Sequence, residues 1–244
     1  MAYDPVRDEI VVPGWYNFSI LTFSGGADGD VAPVRQIMGP RTQIVNPQAL
    51  AIDAVHGEIF VPQGRRILVF DRDADGDVAP IRTLEGPDTG LGAGRITIDP
   101  QRNLMIVVNS TNSGEGRAIR IFDRMASGNT KPLRTITGTG SEDVWLMTNN
   151  PANGMIFGVV RPGSTGGNTG TLEDLQGRYG LDDYVGVWSV YDDGDAPPRF
   201  TIGGPDLLLK DARGIAIDVE NEYVMVSDKT LNAVYTFHVP EAFQ

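Results

Sequence analysis

Apolar and polar residues alternate in short runs along the whole chain. Five of these runs end in an aromatic residue: ILTF at Phe23, ILVF at Phe70, IRIF at Phe122, WSVY at Tyr191 and VYTF at Phe237. Alternation with a period of two is typical of a half-buried β-strand. Two apolar segments separated by a turn precede each run, which predicts a hairpin ahead of every aromatic-ended strand. The pattern therefore predicts an all-β chain.

A repeated phrase sets the period of these strands. The letters GDVAPVRQIMGP at 29–40 return as GDVAPIRTLEGP at 76–87, and weaker copies stand at 128–139 and 194–205. Each unit supplies four strand signals, and a small sheet of this kind buries both faces only by packing against neighbours around an axis. We therefore expect one β-propeller domain over 1–244, built from five four-stranded repeats.

The outer strands carry two further signals. The fifth unit stops after its third strand, so the last blade is predicted to be incomplete, with Val234 to Phe237 as an unpaired edge. The predicted fourth strands repeat an arginine, at Arg35, Arg82 and Arg134. A charge on an outer strand discourages pairing with another chain, so we interpret these arginines as edge charges.

The turn inside each hairpin opens with an acid or an amide. Such side chains accept a hydrogen bond from the backbone N–H two residues on, and a following proline presets φ. We therefore interpret these residues as turn formers and not as a catalytic cluster. They are Asp4, Asp53, Asp99, Asn150 and Asp218.

At this point the sequence resembles the NHL-repeat and gluconolactonase-like β-propeller superfamily. The resemblance is carried by LAIDAVHGEIFVPQGRRILVFDRDADGDVAPIRTLEGP at 50–87 and RGIAIDVENEYVMVSDKTLNAVYTF at 213–237, and it covers essentially the whole chain. It implies a propeller fold and, since such proteins are often exported from bacteria, a periplasmic or extracellular location. It implies little about function, because propellers host many unrelated activities.

Composition removes several classes of function. Thirty-two acidic against twenty basic residues give a net charge of −12, which would repel nucleic acid and an anionic membrane surface. No apolar stretch approaches the roughly 18 residues of a spanning helix, so we expect a soluble chain without membrane insertion. The sequence has no cysteine and two histidines, His56 and His238, whose spacing supplies no partners for a metal site or a catalytic relay.

An acidic loop offers a candidate calcium site. Asp71, Asp73, Asp75 and Asp77 alternate and surround Gly76, as at the start of a calcium loop. The twelfth position is Arg82, where such a loop needs a bidentate glutamate. The alternative is a connecting turn with solvated charges, because the matching segments of other repeats are poorer in acids.

The family resemblance implies a second candidate site in the central tunnel. The enzymes of that superfamily hold calcium there with a glutamate, an asparagine and an aspartate. Asn109 and Asp228 are the nearest matches, whereas other repeats offer Pro13, Pro62 and Arg161 at that level. The expected glutamate has no counterpart, so a calcium-dependent lactonase-type hydrolase is the alternative function.

Loops on one face of the ring carry the residue types of binding sites. Aromatic, arginine and amide side chains are enriched where proteins bind partners. The alternative for the aromatic pair is that it caps its own hairpin. The fourth unit also contains an acidic insertion at about 161–184, and long loops are usually functional or mobile. The candidate residues are Trp15, Tyr16, Asn17, Arg65, Arg66, Glu173, Asp174, Asp182 and Asp183.

These observations favour binding or assembly over catalysis. We expect a non-catalytic propeller that recognises a protein partner or associates with itself through the loop-bearing face. No cofactor is required by this reading, and calcium is the one ion that the sequence suggests.

Overall fold

The predicted hairpins and aromatic-ended strands form antiparallel sheets in a computed structural model, which describes residues 1–109, 117–162, 183–203 and 209–244. Five sheets form the blades of an all-β propeller, as predicted. Within the described ranges the only helical segments are single turns of 3₁₀ helix. No helix among these residues is long and apolar enough to cross a membrane.

Each blade takes its strands from one repeat. Blade one contains β1 (Ala2–Asp4), β2 (Glu9–Gly14), β3 (Ser19–Ser24) and β4 (Arg35–Met38), and blade two contains β5 (Ala51–Asp53), β6 (Glu58–Gln63), β7 (Arg66–Asp71) and β8 (Arg82–Glu85). Blade three contains β9 (Ala93–Asp99), β10 (Leu104–Asn109), β11 (Ile119–Asp123) and β12 (Arg134–Thr137). Blade four contains β13 (Val144–Asn150), β14 (Met155–Val160), β15 (Tyr184–Ser189) and β17 (Phe200–Ile202), while the short β16 (Gly194–Asp195) pairs in parallel with β12. Blade five contains β18 (Ala212–Asp218), β19 (Tyr223–Asp228) and β20 (Ala233–His238).

Strand order within the blades agrees with the repeat. The first strand of each unit lies innermost, because β1, β5, β9, β13 and β18 contact one another in sequence around the axis. The strands that contain the repeated phrase lie outermost in blades one to four. In the described residues, blade five has three strands with β20 at its edge, so the predicted incomplete blade is confirmed.

The predicted turn formers are confirmed as well. Asp53 accepts hydrogen bonds from the N–H groups of Val55 and His56, both at 3.0 Å. Asp4 does the same for Val6 and Arg7, at 2.9 and 3.3 Å. Both carboxylates are buried, so each turn also brings a charge into the ring.

The apolar core lies between blades. Four clusters of buried side chains form at the junctions of consecutive blades, from blades one and two to blades four and five. Alternate residues of a strand point to the preceding and to the following blade, because successive side chains of a strand face opposite sides of the sheet. In blade two, Ile59 and Leu68 join the cluster with blade one, whereas Phe60 and Ile67 join the cluster with blade three.

The predicted edge role of the repeated arginines is wrong for Arg82. Its guanidinium donates to both carboxylate oxygens of Glu58, at 2.6 and 2.8 Å, and its side chain is only 14% exposed. Arg35 pairs with one carboxylate oxygen of Glu9. These arginines fold back over their own sheets because a glutamate on the second strand attracts them.

Candidate functional site

One face of the ring collects the connections between second and third strands and those from each outer strand to the next inner strand. Antiparallel order within every blade places these connections at the same end. We call this end the loop face and the opposite end the turn face. Of the residues predicted from the sequence to bind a partner, the loop face carries those that lie in the turns after β2 and β6: Trp15, Tyr16, Asn17, Arg65 and Arg66.

The turn between β2 and β3, residues 15–18, lies exposed on the loop face and is here named the aromatic turn. Trp15 and Tyr16 stack with ring centroids 5.9 Å apart and an angle of 17° between the rings. Tyr16 is 96% exposed, Trp15 is 51% exposed and Phe18 is 47% exposed. Rings that cap a hairpin would be covered by it, so the exposure of Tyr16 does not fit the capping alternative.

The backbone of the aromatic turn holds Phe18 in an unfavourable conformation. Phe18 has a φ of 52°, in the left-handed region that bulky residues rarely adopt. The corresponding turn of blade five places Asn232 there with a φ of 49°, and asparagine tolerates this conformation. Asn17 stabilises the turn, since its Oδ1 accepts a hydrogen bond from the Ser19 hydroxyl at 2.8 Å. Local strain of this kind often accompanies a functional role.

A cleft of about 480 Å³ opens beside the corresponding turn of blade two. Among the described residues that line it, Arg66 is the only charged one, and its guanidinium donates to the carbonyl oxygen of Gln43 at 3.0 Å. Gln63 accepts a hydrogen bond from the N–H of Val45, and its buried Nε2 has no partner among the described residues. Arginine and amide donors with no acidic lining suit a carboxylate, a phosphate or a peptide group. The lining residues are Val45, Asn46, Gln48, Pro62, Gln63, Gly64, Arg66 and Gly94.

The two predicted tunnel ligands stabilise loops. The Oδ1 of Asn109 accepts the N–H of Gly92 at 3.1 Å, and its Nδ2 donates to Gly90. Asp228 accepts the N–H groups of Lys210 and Asp211, at 2.6 and 2.9 Å. Burial acts to raise the pKa of Asp228, but these and other backbone donors outweigh it and hold the pKa below its ordinary value.

The strand register changes which residues of the other blades correspond to Asn109 and Asp228. The end of the second strand is Asn109 in blade three, Asp228 in blade five and Gln63 in blade two, so Pro62 lies one residue short of it. Gln63 bonds the segment leading to its inner strand, as Asn109 and Asp228 do. Among the residues that the structure describes, no three acid or histidine side chains converge as metal ligands. Calcium in the tunnel stays a prediction.

A cluster that sequence reasoning missed lies where the inner strands begin. The guanidinium groups of Arg95 and Arg161 lie over the ring of Trp145, at 5.2 and 5.6 Å from its centroid. Arg161 also donates to Asp211 at 2.6 Å. Burial lowers the pKa of Arg95. A pattern of strands carries no signal for this cluster, because its members come from different repeats.

The acidic insertion is described only at its ends. Asp183 is buried, and its carboxylate accepts the N–H of Ala212 at 2.8 Å and lies 3.6 Å from Arg161 Nε. Its surroundings are therefore those of a structural residue, not of the surface acid that the sequence predicts. The other predicted acids, Glu173, Asp174 and Asp182, lie outside the described residues.

The acidic loop after β7 lies on the turn face, away from the other candidates. Its four carboxylates have separate partners. Asp71 accepts the N–H of Asp73, Asp73 pairs with Arg7, and Asp75 accepts the N–H of Gln36. Asp77 accepts the N–H of Arg41. The loop therefore connects blade two to blade one, and calcium binding there stays a prediction.

Comparisons with known proteins identify the fold. No family model matches the chain, and no curated protein is significantly similar to it in sequence. Similar solved structures include hydrazine synthase from Kuenenia stuttgartiensis, with a TM-score of 0.61 and 13% identity over 92% of this chain and 53% of that one. A candidate 6-phosphogluconolactonase from Bacteroides uniformis gives a TM-score of 0.63 and 12% identity, covering 98% of this chain and 66% of that one. The β-propeller domain of Cps50 (Swd1) from Myceliophteria thermophila gives 0.54 and 9%, covering 97% and 63%.

These similarities concern the fold alone. The chain spans between half and two-thirds of the length of each of these structures. The names of these proteins indicate different activities, so they favour neither binding nor catalysis here. Membership of the NHL-repeat or gluconolactonase-like group stays a prediction. The chain is a five-bladed β-propeller whose fold is shared with known propellers and whose function must be inferred from its own residues.

Proposed function

We propose that this protein is a non-catalytic binding propeller that recognises a protein partner through the aromatic turn of blade one. The observation that carries the proposal is Phe18, a bulky residue at a φ of 52° in a turn whose aromatic side chains are all substantially exposed. Such a conformation costs about 1–3 kcal/mol, and 47% of Phe18 stays exposed to solvent. A function that uses the exposed rings accounts for the cost.

The chemistry of the aromatic turn indicates the kind of partner. Trp15 and Tyr16 present large apolar surfaces with polar tips, which are the groups most often found at the energetic centre of protein interfaces. Arg65 lies exposed on the corresponding turn of the next blade, and Arg66 lines the cleft there. A partner with an apolar pocket and a carboxylate beside it fits this arrangement.

A matched pair of variants tests the proposal. Trp15→Ser with Tyr16→Ser removes both stacked rings, and Tyr3→Ser removes an exposed aromatic residue from the inner strand of the same blade. A partner crosslinked to the wild-type protein in extract is purified and titrated calorimetrically against each form. We expect the double variant to weaken binding by about 100-fold or more, as loss of a central aromatic pair does, and Tyr3→Ser to bind normally.

Two outcomes would contradict the proposal. Equal affinity of wild type and double variant would show that the partner binds elsewhere. A second copy of this chain as the only crosslinked species, with dimerisation unaffected by the double variant, would replace recognition through the aromatic turn with self-association through another surface.

A further inference from the structure

Blade one has an apolar face that points away from blade two. Its strands place Ile10, Val12, Leu21 and Phe23 on this face, and all four are partly exposed. The same positions of blade two hold Ile59, Val61, Leu68 and Phe70, which are at most 1% exposed because they pack against blade one. Blade one thus carries, on its free face, the same apolar surface that blade two uses to pack against blade one.

The turn that follows β3 repeats a second element of that contact. Residues 27–30 of blade one and 74–77 of blade two both read ADGD. In blade two this turn binds the outer strand of blade one, since Gly76 N–H donates to Gln36 O at 2.8 Å and Gly76 O accepts Met38 N–H at 3.1 Å. Gly128 makes the same pair of bonds to the outer strand of blade two. The ADGD turn of blade one has the matching backbone conformation, with φ of 72° at Gly29 and 75° at Gly76.

Blade five does not provide what this surface requires. In the described residues blade five has no outer strand, so the turn at 27–30 has no strand of that kind to bind there. No apolar cluster among these residues joins blade five to blade one. A second copy of the chain would offer the same three-stranded blade five, and every other blade of that copy already has its following neighbour.

At the other end of the ring, the turn of blade five differs from the turns of blades one and two in the partners of its aspartate. Asp4 and Asp53 each accept N–H groups of their own turn with Oδ1, and Oδ2 lies near an arginine of the following blade: Arg72 at 2.9 Å and Arg124 at 3.4 Å. Asp53 Oδ2 also pairs with His56 of its own turn at 2.7 Å. Asp218 holds the same place in blade five and is bonded by Asn221 of its own turn. The residue of blade one at the position of Arg72 is Gly25, so blade one does not supply the arginine.

We propose that the free face of blade one, formed by Ile10, Val12, Leu21 and Phe23 with the turn at 27–30, binds a further four-stranded blade of this repeat type through its outer strand. This surface is separate from the aromatic turn, so the proposal does not depend on the proposed function. The bound blade presents apolar residues at the positions of Phe60 and Ile67, and its outer strand bonds Gly29 as Gln36 bonds Gly76.

An added blade tests the proposal in the full chain. A copy of residues 43–96, which contains blade two, is fused directly before Ala2. Ala2 occupies the same place in the repeat as Thr97, so Ile96 of the copy precedes Ala2 as Ile96 precedes Thr97 in the original chain. We expect the Gly29 amide to exchange with solvent at about one tenth of its rate in the original chain, or more slowly still. The reason is that Gly29 gains the hydrogen bond that Gly76 makes. The melting temperature should rise by several degrees, since a new apolar junction is buried.

The matched control is Asp28→Ala with Asp30→Ala. These acids correspond to Asp75 and Asp77, which accept N–H groups from the outer strand region of blade one. The double substitution should leave the original chain unchanged and should remove much of the gain in the extended chain. An extended chain with unchanged Gly29 exchange would overturn the proposal, as would a dimer of the original chain that protects Leu21 and Phe23.

A peptide provides a second measurement if the extended chain does not fold. Residues 78–90, which hold the outer strand of blade two and its following turn, are added to the original protein at millimolar concentration. Slower exchange at Gly29 is expected with this peptide and not with its Thr83→Pro form, which lacks a strand N–H. Equal exchange with both peptides would count against the proposal.

Discussion

The turn face and the loop face of this propeller are built on different rules. On the turn face, the first two junctions repeat one chemistry: Asp4 faces Arg72 across the first junction, and Asp53 faces Arg124 across the second. On the loop face, equivalent turns differ in length and content, from the aromatic turn of blade one to Gly64–Arg65 in blade two. The repeated face joins the blades, and that leaves the opposite face free to vary for recognition.

The strongest member of the turn-face chemistry is the group around Glu58. Its carboxylate accepts two hydrogen bonds from Arg82 and pairs with Arg124 of the next blade, whose side chain is 8% exposed. Burial acts to raise the pKa of Glu58, but the hydrogen bonds and charges of the two arginines outweigh it and hold the pKa below the ordinary 4.5.

Arg124→Leu should cause the largest loss of stability. It leaves Glu58 and Asp53 as buried carboxylates that have lost a cation, and breaking a buried pair in this way costs about 3–5 kcal/mol. Urea unfolding measures the change. The control is Arg199→Leu, which breaks a pair whose arginine is 46% exposed and should cost about 0–1 kcal/mol. Similar losses in both variants would mean that the junction charges contribute no more than surface charges.

Asp4→Ala should have the next largest effect. The substitution removes the carboxylate that accepts the backbone N–H groups of Val6 and Arg7. It also leaves Arg72 beside the first junction without its carboxylate, and the two losses together cost about 2–3 kcal/mol. Asp218→Ala is the matched control, because Asp218 forms the same turn with a partly exposed carboxylate that Asn221 of its own turn bonds. A smaller loss is expected there in the same unfolding measurement. Equal losses would show that the turn alone, and not the contact between blades, stabilises this face.

Lowering the pH should reduce the stability that Glu58 contributes on the turn face. Because the pKa of Glu58 is lower in the folded protein than in the unfolded chain, its contribution is fully present above the unfolded value of about 4.5 and is lost as the pH falls through the lower folded value. Melting temperatures recorded at decreasing pH measure this loss. Glu58→Gln should melt at a lower temperature near neutral pH and show a shallower decline in acid. An unchanged decline would assign the acid sensitivity to other carboxylates.

Phe18→Asn should stabilise the protein while weakening recognition. Asparagine relieves the left-handed strain, as at Asn232 in blade five, and a gain of about 1 kcal/mol is expected. Thermal unfolding measures the gain, and the reciprocal Asn232→Phe should lose a similar amount. A loss of stability in Phe18→Asn would show that the ring contributes more to the fold than its exposure indicates.

Calcium should have the smallest effect of all. Each carboxylate from Asp71 to Asp77 already has a partner in the chain, and Arg82 stands where a calcium loop needs its glutamate. Calorimetric titration of the chelated protein should give no stoichiometric heat. A clear heat that disappears in Asp73→Asn with Asp75→Asn would restore the calcium site and raise the hydrolase alternative.

Local sequence patterns were enough to predict the strands, the hairpin turns and part of the candidate site. Trp15 and Tyr16 could be placed on an exposed turn because they interrupt two alternating runs. The environments of Arg82 and Asp183 could not be predicted, since each depends on a residue far along the chain: Glu58 for the first, and Ala212 for the second. A pattern of neighbours cannot say which distant group a charged side chain will meet.

By itself, the sequence determined the period of the repeat, the order of strands in a blade and the acids that form the turns, because these depend on contacts within a few residues. Only the tertiary structure decided which charges are buried between blades and which apolar faces are covered. Those outcomes depend on how one blade packs on the next. Ile10 of blade one and Ile59 of blade two occupy the same place in the repeat, yet a neighbour covers only Ile59.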